Sequence, residues 1–296
     1  MERKKAGDFP PEVLKLFDGF VHGRMTRREF LDGAARHAVG GFTAAAMLEA
    51  LTPNFAWAEQ VKPDDSRIHV ERVDYASPKG SAEMRAYVAR PANARGKLPA
   101  VIVIHENRGL NPYIEDVARR LATEGYVAVA PDALAPVGGY PGDEDKAREM
   151  FAKLDPTKRT EDLMAAVAYV KSRPDFSGKY GAIGFCFGGG IVNTMATRFP
   201  DLAAGVPYYG VQPKPEDAAK IRSPILAHYA SEDERITSGW AAYDKVLAEH
   251  HVEHQGFIYP NTQHGFHNDT TPRYDEAAAK LSWERTLKFF QQHLEA

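Results

Sequence analysis

The chain has 296 residues, a formal net charge of −3 at pH 7 and an apolar content of 44%. This length can bury a sizeable core, as one large α/β domain or as two small ones. The slight negative charge gives no electrostatic reason to expect binding to nucleic acid or to an anionic membrane. A single cysteine, Cys186, excludes an internal disulfide, a dithiol redox motif and a zinc cluster built on two thiolates. We expect neither a metal nor a cofactor.

The first 60 residues differ from the rest, and we predict that they form an extension or signal segment ahead of a single domain at 61–296. In chain order they contain an amphipathic stretch, an arginine pair, a weakly apolar stretch and an A-x-A sequence: Pro11–Phe20, Arg27-Arg28, Ala38–Leu48 and Ala56-Trp57-Ala58. Together the last three resemble a twin-arginine export signal. The pattern predicts a periplasmic or otherwise exported protein.

Other features of this segment favour a different interpretation. Ala38–Leu48 has eleven uncharged residues, whereas about 20 are needed to span a bilayer, so we predict no integral membrane span. The chain before the arginine pair is long, and Arg36 and Glu49 closely bracket the apolar stretch. The alternative is an N-terminal helical extension packed on the domain of a cytoplasmic protein.

Beyond Arg67, predicted strands alternate with predicted helices. Strands are predicted from apolar runs or apolar–polar alternation at Arg67–Tyr75, Ala82–Arg90, Pro99–Ile104, Tyr126–Ala130, the run from Tyr180, Ala203–Tyr209, Pro224–Ala230 and Gln255–Tyr259. Helices are predicted at Tyr113–Glu124, Asp143–Leu154, Thr157–Ser172, from Ile191, Gly239–His250 and Tyr274–His293. This alternation indicates an α/β fold with a mostly parallel, doubly wound sheet.

A Gly-x-Cys-x-Gly sequence, Gly184-Phe185-Cys186-Phe187-Gly188, joins a predicted strand to a predicted helix. It is the nucleophile-elbow pattern with a thiol in place of the usual serine. The flanking glycines fit a sharp turn, because they lack the Cβ that would block close passage of the backbone. The alternative is an inert buried cysteine in a glycine-rich turn.

Two further side chains follow later strands at the edge where such sheets bind ligands. Asp233 follows Pro224–Ala230, and His264 follows Gln255–Tyr259. The order Cys186, Asp233, His264 is that of an α/β-hydrolase triad, in which the histidine takes the nucleophile's proton and the acid orients the histidine. Glu232 and Glu234 compete with Asp233, and His267 competes with His264. His105 is interpreted as structural or as part of a pocket lining, and three polar histidines as solvated: His250, His251 and His254.

An oxyanion hole needs two backbone N–H groups aimed at the developing negative charge. In this fold one comes from the residue after the nucleophile, here Phe187, and one from the loop after an early central strand. In the loop His105–Gly109 the second donor is predicted to be Asn107.

Four sequences from Arg67 to the end resemble the dienelactone hydrolase family of α/β-hydrolases: Gly184–Gly190, His105–Gly109, Ser231–Asp233 and Gln263–Phe266. The flanking residues resemble a subgroup with an N-terminal extension. The resemblance implies a cysteine-dependent hydrolase of a lactone or small carboxylic ester, similar to carboxymethylenebutenolidase, that works through a Cys-His-Asp triad and a covalent acyl-enzyme. It also implies that Glu106 interacts with the resting thiol, where a carboxylate would keep the thiol protonated.

The chain departs from the family pattern where two arginines would hold a substrate carboxylate. Asn268 stands where one of them is expected. Arg273 and Arg108 are the candidates to replace them. A different class of function is a non-catalytic, hydrolase-like scaffold that binds a ligand or partner through the same pocket. The sequence leaves the oligomeric state and the natural substrate open.

Overall fold

The computed structural model describes residues 4–39, 42–57 and 59–295. Its centre is an eight-stranded sheet. The strands are β1 (Ile68–Ser77), β2 (Ala82–Pro91), β3 (Leu98–Ile104), β4 (Val127–Pro131), β5 (Phe176–Phe185), β6 (Ala204–Tyr208), β7 (Ile225–Ala230) and β8 (His254–Tyr259). Their spatial order is β1-β2-β4-β3-β5-β6-β7-β8.

Strands β3 to β8 are parallel, and the hairpin β1–β2 joins them antiparallel through β4. The loops after β3, β5, β6, β7 and β8 therefore emerge at the same edge of the sheet. In a parallel sheet this carboxyl edge is where ligands bind. The architecture confirms the predicted α/β-hydrolase class.

The described α-helices are α1 (Pro11–Val21), α2 (Arg27–Ala34), α3 (Ala44–Leu51), α4 (Pro112–Thr123), α5 (Glu144–Lys153), α6 (Pro156–Ser172), α7 (Phe187–Arg198), α8 (Pro215–Ala218), α9 (Glu234–Thr237), α10 (Trp240–Glu249) and α11 (Glu276–Leu294). Helices α4 and α11 cover one face of the sheet, with Val117 and Phe290 in its core. Helices α6, α7 and α10 cover the other face through Leu163, Val192 and Leu247. Both faces are apolar because the central strands are buried on both sides.

The predicted strands and long helices are confirmed to within a few residues at their ends. Helices α2, α3, α8 and α9 were not predicted, because segments of four to eight residues carry too few turns to show a period. Helix α7 begins at Phe187 and not at Ile191, since Cys186 is its N-cap residue and three glycines lie inside its first turns.

The N-terminal segment folds as three helices against the domain. Helices α1 to α3 share an apolar cluster that includes Phe17, Phe30 and Leu51. Arg27 and Arg28 open α2, which Thr26 caps, and Arg27 pairs with Asp145 of α5 at 2.7 Å.

This placement agrees with the alternative of a helical extension packed on the domain, while export stays a prediction. Two residues of the Ala38–Leu48 stretch, 40 and 41, and Ala58 of the A-x-A sequence lie outside the described residues. No helix in the described parts of the chain combines the length and the apolar character needed to cross a membrane.

The turn after β5 depends on glycines that touch backbone. A Cβ on Gly188 would lie 2.7 Å from the His105 carbonyl oxygen and still closer to that of Ile104. A Cβ on Gly190 would instead meet a terminal methyl of Val211 at 2.9 Å. Backbone at the end of a central strand cannot move away, whereas a side-chain methyl can.

We expect Gly188→Ala to lower the free energy of unfolding by about 2 kcal/mol, the usual cost of overpacking. Gly190→Ala is the matched control in the same helix and should change it by less than about 1 kcal/mol, because alanine also favours the helix. Urea unfolding followed by circular dichroism measures both. Equal stability of the two variants would contradict the close approach.

Candidate active site

Cys186 lies at the sharp turn between β5 and α7. Its backbone is in the left-handed region, with φ +56° and ψ −114°, which a residue with a side chain rarely adopts without strain. Its N–H donates to the carbonyl of Tyr208 at 3.0 Å. The residue is 9% exposed. The turn therefore presents the thiol at the carboxyl edge of the sheet and at the N-terminus of α7.

Asp233 and His264 meet at the same edge. Asp233 follows β7, His264 follows β8, and Nδ1 of His264 lies 2.5 Å from an Asp233 carboxylate oxygen. Both residues are about 5% exposed. Nε2 of His264 is buried and makes no hydrogen bond of normal geometry with the described residues. One ring nitrogen is thus held by the acid, while the other is available to a reacting group.

A second imidazole, which the sequence interpretation missed, also faces the thiol. Nε2 of His22, just after α1, lies 3.5 Å from Sγ of Cys186. Nδ1 of His22 lies 2.7 Å from the Asp18 carbonyl oxygen and 3.0 Å from its carboxylate. The only trace of this pair in the sequence is an acid and a histidine four residues apart at the end of an amphipathic helix.

Cys186 and His264 each shift the pKa of the other toward the charged form. Burial alone would raise the pKa of the Cys186 thiol, but the positive charge of His264 and the hydrogen bond with His22 hold it well below its usual value. Burial alone would lower the pKa of His264, but the charge of Cys186 and the bond with Asp233 raise it to about 10. Both shifts favour the thiolate beside protonated imidazoles over the neutral thiol.

In the N-terminal segment, burial and hydrogen bonding also have opposite effects on the pKa values of His22 and Asp18. Burial would lower the pKa of His22, but its hydrogen bonds with Asp18 and Cys186 raise it. Burial would raise the pKa of Asp18, but the bond with His22 keeps it well below the usual value. Each imidazole that faces the thiol thus has its own aspartate beside it.

Glu106, in the loop after β3, is the carboxylate that opposes the thiolate. Burial and then the negative charge of Cys186 raise its pKa. Its Oε2 accepts a hydrogen bond from Asn268 Nδ2 at 3.0 Å. Asn268 occupies the position where an arginine was expected, and it holds Glu106 in place.

The two candidate arginines have different surroundings. Nε of Arg108 lies 2.8 Å from a Glu144 carboxylate oxygen, so Arg108 is engaged in an ion pair. Arg273 is 9% exposed, and its Nε and Nη1 make no hydrogen bond with the described residues. Its guanidinium packs 5.2 Å from the ring centre of Phe17. Of the two, Arg273 has the donors available for an anion.

The two predicted oxyanion donors lie on the expected elements. Phe187 is the first residue of α7, where backbone N–H groups have no partner within the helix. Asn107 follows β3, and its side-chain amide donates to the Val21 carbonyl at 2.7 Å. Their role in an oxyanion hole stays a prediction.

The competing histidines are held in other networks. His105 accepts from the Ala133 N–H at 3.0 Å, and burial lowers its pKa. His267 bonds the Tyr113 hydroxyl at 2.7 Å and stacks on Phe185, and burial holds its pKa well below the usual value. Both are structural, and the structure brings only His22 and His264 to the thiol among the described histidines.

Three side chains could supply ligand atoms to a metal. One atom each from His22, Cys186 and His264 lie within 4.8 Å of one another. One thiolate and two imidazoles are donors of the type that a soft divalent cation accepts. Both imidazoles lie beside an aspartate, and we assign no metal to the three side chains.

A cavity of about 200 Å³ opens beside the Asp233–His264 pair. Its walls come from α1 and from the loops after β7 and β8, and they include Leu14, Asp18, Arg24, Gln263 and Arg273. The cavity therefore lies between the N-terminal segment and the domain, and its walls are charged and partly apolar.

Comparison with known proteins gives the family. A family model described as "Dienelactone hydrolase family" matches residues 84–294, and one described as "YqhI-like" matches residues 1–38. A "Putative carboxymethylenebutenolidase" of Saccharolobus solfataricus is 32% identical over 249 residues, which cover 71% of this chain and 95% of that protein. The "Putative hydrolase fragment YghX" of Escherichia coli is 56% identical over 115 residues, which cover 39% of this chain and 98% of that fragment.

Solved structures agree with this family assignment. The "Putative Dienelactone Hydrolase" of Klebsiella pneumoniae superposes with a TM-score of 0.67 and 29% identity, over 76% of this chain and 99% of that one. A dienelactone hydrolase-like promiscuous phosphotriesterase, P91, from metagenomic libraries has the same fold, with a TM-score of 0.67 and 24% identity over 77% of this chain and 99% of that one. The chain therefore belongs to the dienelactone hydrolase family and is a hydrolase that acts on ester bonds.

Proposed function

We propose that the protein hydrolyses a lactone or small carboxylic ester with Cys186 as nucleophile, His264 as general base and acid, and Asp233 as the residue that orients His264. The observation that carries this proposal is the Asp233–His264 contact of 2.5 Å beside a thiol on a strained turn. A nucleophile activated by a histidine, which a third group orients, is the common pattern of covalent acyl transfer.

In the first half of the reaction His264 carries the proton of Cys186, and the thiolate attacks the carbonyl carbon. The C–S bond forms while the carbonyl electron pair moves to oxygen. When the tetrahedral intermediate collapses, the C–O bond to the leaving group breaks, and the leaving oxygen takes the proton from His264. The product of this half is a thioester on Cys186 and a free alcohol, or the opened ring of a lactone.

In the second half water supplies the oxygen. Neutral His264 takes a proton from water as the oxygen bonds to the acyl carbon, and the C–S bond then breaks to release the acid and the thiolate. The N–H groups of Phe187 and Asn107 are proposed to bind the carbonyl oxygen in both halves. Glu106 is proposed to oppose the thiolate until substrate is bound, because a nearby negative charge favours the neutral thiol.

The substrate is proposed to carry a carboxylate or another small anion. Arg273 lines the cavity together with His264 and Asp233, and two of its buried guanidinium nitrogens make no hydrogen bond with the described residues. A buried guanidinium without a partner is costly, and a bound carboxylate would remove that cost. Arg108, already paired with Glu144, has less to offer.

Cys186→Ala and His264→Ala should each lower the turnover of an activated aryl ester by at least about 10³-fold, because either change removes a group that the reaction uses directly. Initial rates measure the loss, and circular dichroism checks that the fold persists. His250→Ala, a change at an exposed histidine, is the control and should keep full activity. Full turnover by folded Cys186→Ala would refute Cys186 as the nucleophile, whereas no turnover of any ester by the wild type would favour the binding scaffold.

Glu106→Gln should shift the pH midpoint of thiol alkylation downward by about one unit, since one unit corresponds to tenfold in the equilibrium between thiol and thiolate. The sign follows from the charge: an ionised Glu106 opposes the thiolate, and the amide does not. The rate of iodoacetamide reaction between pH 5 and 10 measures the midpoint. An unchanged profile would remove Glu106 from the mechanism.

Arg273→Gln should raise KM about tenfold or more for an ester that carries a free carboxylate and leave KM for its neutral analogue little changed, because a charged hydrogen bond contributes about 1.5–3 kcal/mol. Arg108→Gln is the control, and it should affect both substrates equally. If only Arg108→Gln discriminates between the two substrates, the assignment of Arg273 is wrong.

A further inference from the structure

His22 reaches the nucleophile from outside the domain that carries the rest of the site. Its Nε2 lies 3.5 Å from Cys186 Sγ, across 164 positions of sequence. Its ring meets that of His264 edge-on, with centres 4.8 Å apart. The thiol is therefore enclosed by two imidazoles from opposite ends of the chain.

The pair His22–Asp18 repeats the arrangement of His264–Asp233. Nδ1 of His264 faces the Asp233 carboxylate, and Nδ1 of His22 lies 2.7 Å from the main-chain carbonyl of Asp18 and 3.0 Å from its carboxylate. In both rings Nε2 is left directed to the site. His22 is also the C-cap residue of α1. The C-terminal end of a helix carries partial negative charge and stabilises an imidazolium.

Residues of the domain fix the end of α1 in this position. Asn107 donates to the Val21 carbonyl at 2.7 Å. Arg148 donates to the Phe20 carbonyl and packs 3.9 Å from the ring centre of Phe20. Because the last carbonyls of α1 are bound by domain side chains, the His22 contact is a positioned one and not the chance approach of a free terminus.

We propose that His22 is a catalytic residue: held by Asp18, it is the fixed cationic partner of the Cys186 thiolate, while His264 alone carries protons to and from the substrate. This inference rests on the proposed cysteine-dependent hydrolysis. It also gives the N-terminal segment a role in the reaction. This segment lies outside residues 84–294, which the family model matches.

The proton balance follows from this division. At rest the thiolate lies between two imidazoliums, each compensated by its own aspartate. During acylation the C–S bond forms, the C–O bond breaks, and the leaving oxygen takes the proton of His264. During deacylation His264 takes a proton from water, the new C–O bond forms, and the C–S bond breaks. His22 keeps its proton throughout, so its imidazolium stabilises the thiolate both as nucleophile and as leaving group.

Several charged or titratable groups act on the thiol, on His22 or on their direct partners, and they define the background of any pH profile. They are Asp18 and Arg24 of the N-terminal segment, Glu106 and Arg108 after β3, Tyr209 after β6, Asp233 and Arg235 after β7, and His264 and Arg273 after β8. Among them Asp18 is the acid bonded to His22, and Glu106 acts on the thiol in the opposite direction.

The test is the rate of iodoacetamide alkylation of Cys186 in the full chain between pH 5 and 10, with EDTA present so that trace metal on the thiol does not contribute. His22→Gln should react about tenfold more slowly than the wild type near pH 6 and equally fast near pH 10, where the thiol ionises without help. Asp18→Asn should show a smaller loss of the same form. His37→Gln, in the same segment and with no contact to the site, is the control and should match the wild type.

A His22→Gln profile that superimposes on the wild type would overturn the proposal. So would a loss of equal size at every pH, because that result reports altered access and not thiolate stabilisation. If His22→Gln does not fold, Asp18→Asn decides by the same two criteria. Because alkylation uses no ester, failure of the His22 proposal can be distinguished from failure of the proposed hydrolysis. If Cys186→Ala keeps full ester turnover, the proposed function fails, whatever the alkylation profile shows.

Discussion

The close approach of α7 to the ends of β3 and β6 is the constraint on which the site depends. Gly188 touches the carbonyls of Ile104 and His105, and Gly189 lies where a Cβ would come 2.7 Å from the Tyr208 carbonyl. Only a glycine-lined turn lets the helix begin directly over the sheet, and that placement forces Cys186 into a left-handed conformation. The strain is held because the core on both faces is closely packed. Every other member of the site is arranged around the thiol that this turn exposes.

Electrostatic balance at this turn is decided by neighbours more than by burial. A thiol 9% exposed would remain protonated in an apolar pocket. Two imidazoles with their own carboxylates reverse that preference, and Glu106 acts against them. Opposing charges at close range leave the ionisation of the nucleophile sensitive to small displacements. A substrate anion near Arg273 would enter this balance directly, since Arg273 also acts on Glu106.

Most of the fold could be predicted from the sequence, and so could the meeting of three candidate site residues at one edge of the sheet. Cys186, Asp233 and His264 each follow a strand, and parallel strands bring such residues to one edge regardless of the loops between them. His22 lies on no strand, so nothing in its local pattern locates it in space. Its position results from the docking of α1 through Asn107 and Arg148, which are ordinary polar residues in the sequence. The ion pair of Arg108 with Glu144 could not be predicted for the same reason, because it joins the loop after β3 to the start of α5.

Because His22 contacts Cys186, the reactivity of this thiol also depends on whether the N-terminal segment has docked on the domain. Contacts between residues so far apart in sequence are costly to close and tend to form late. The N-terminal helices have an apolar cluster of their own, separate from the two clusters that cover the sheet. A domain that has folded before this segment docks would hold a thiol with one imidazole, not two. Because Cys186 is the only cysteine, the moment of docking can be followed by thiol chemistry alone, without a label at any other position.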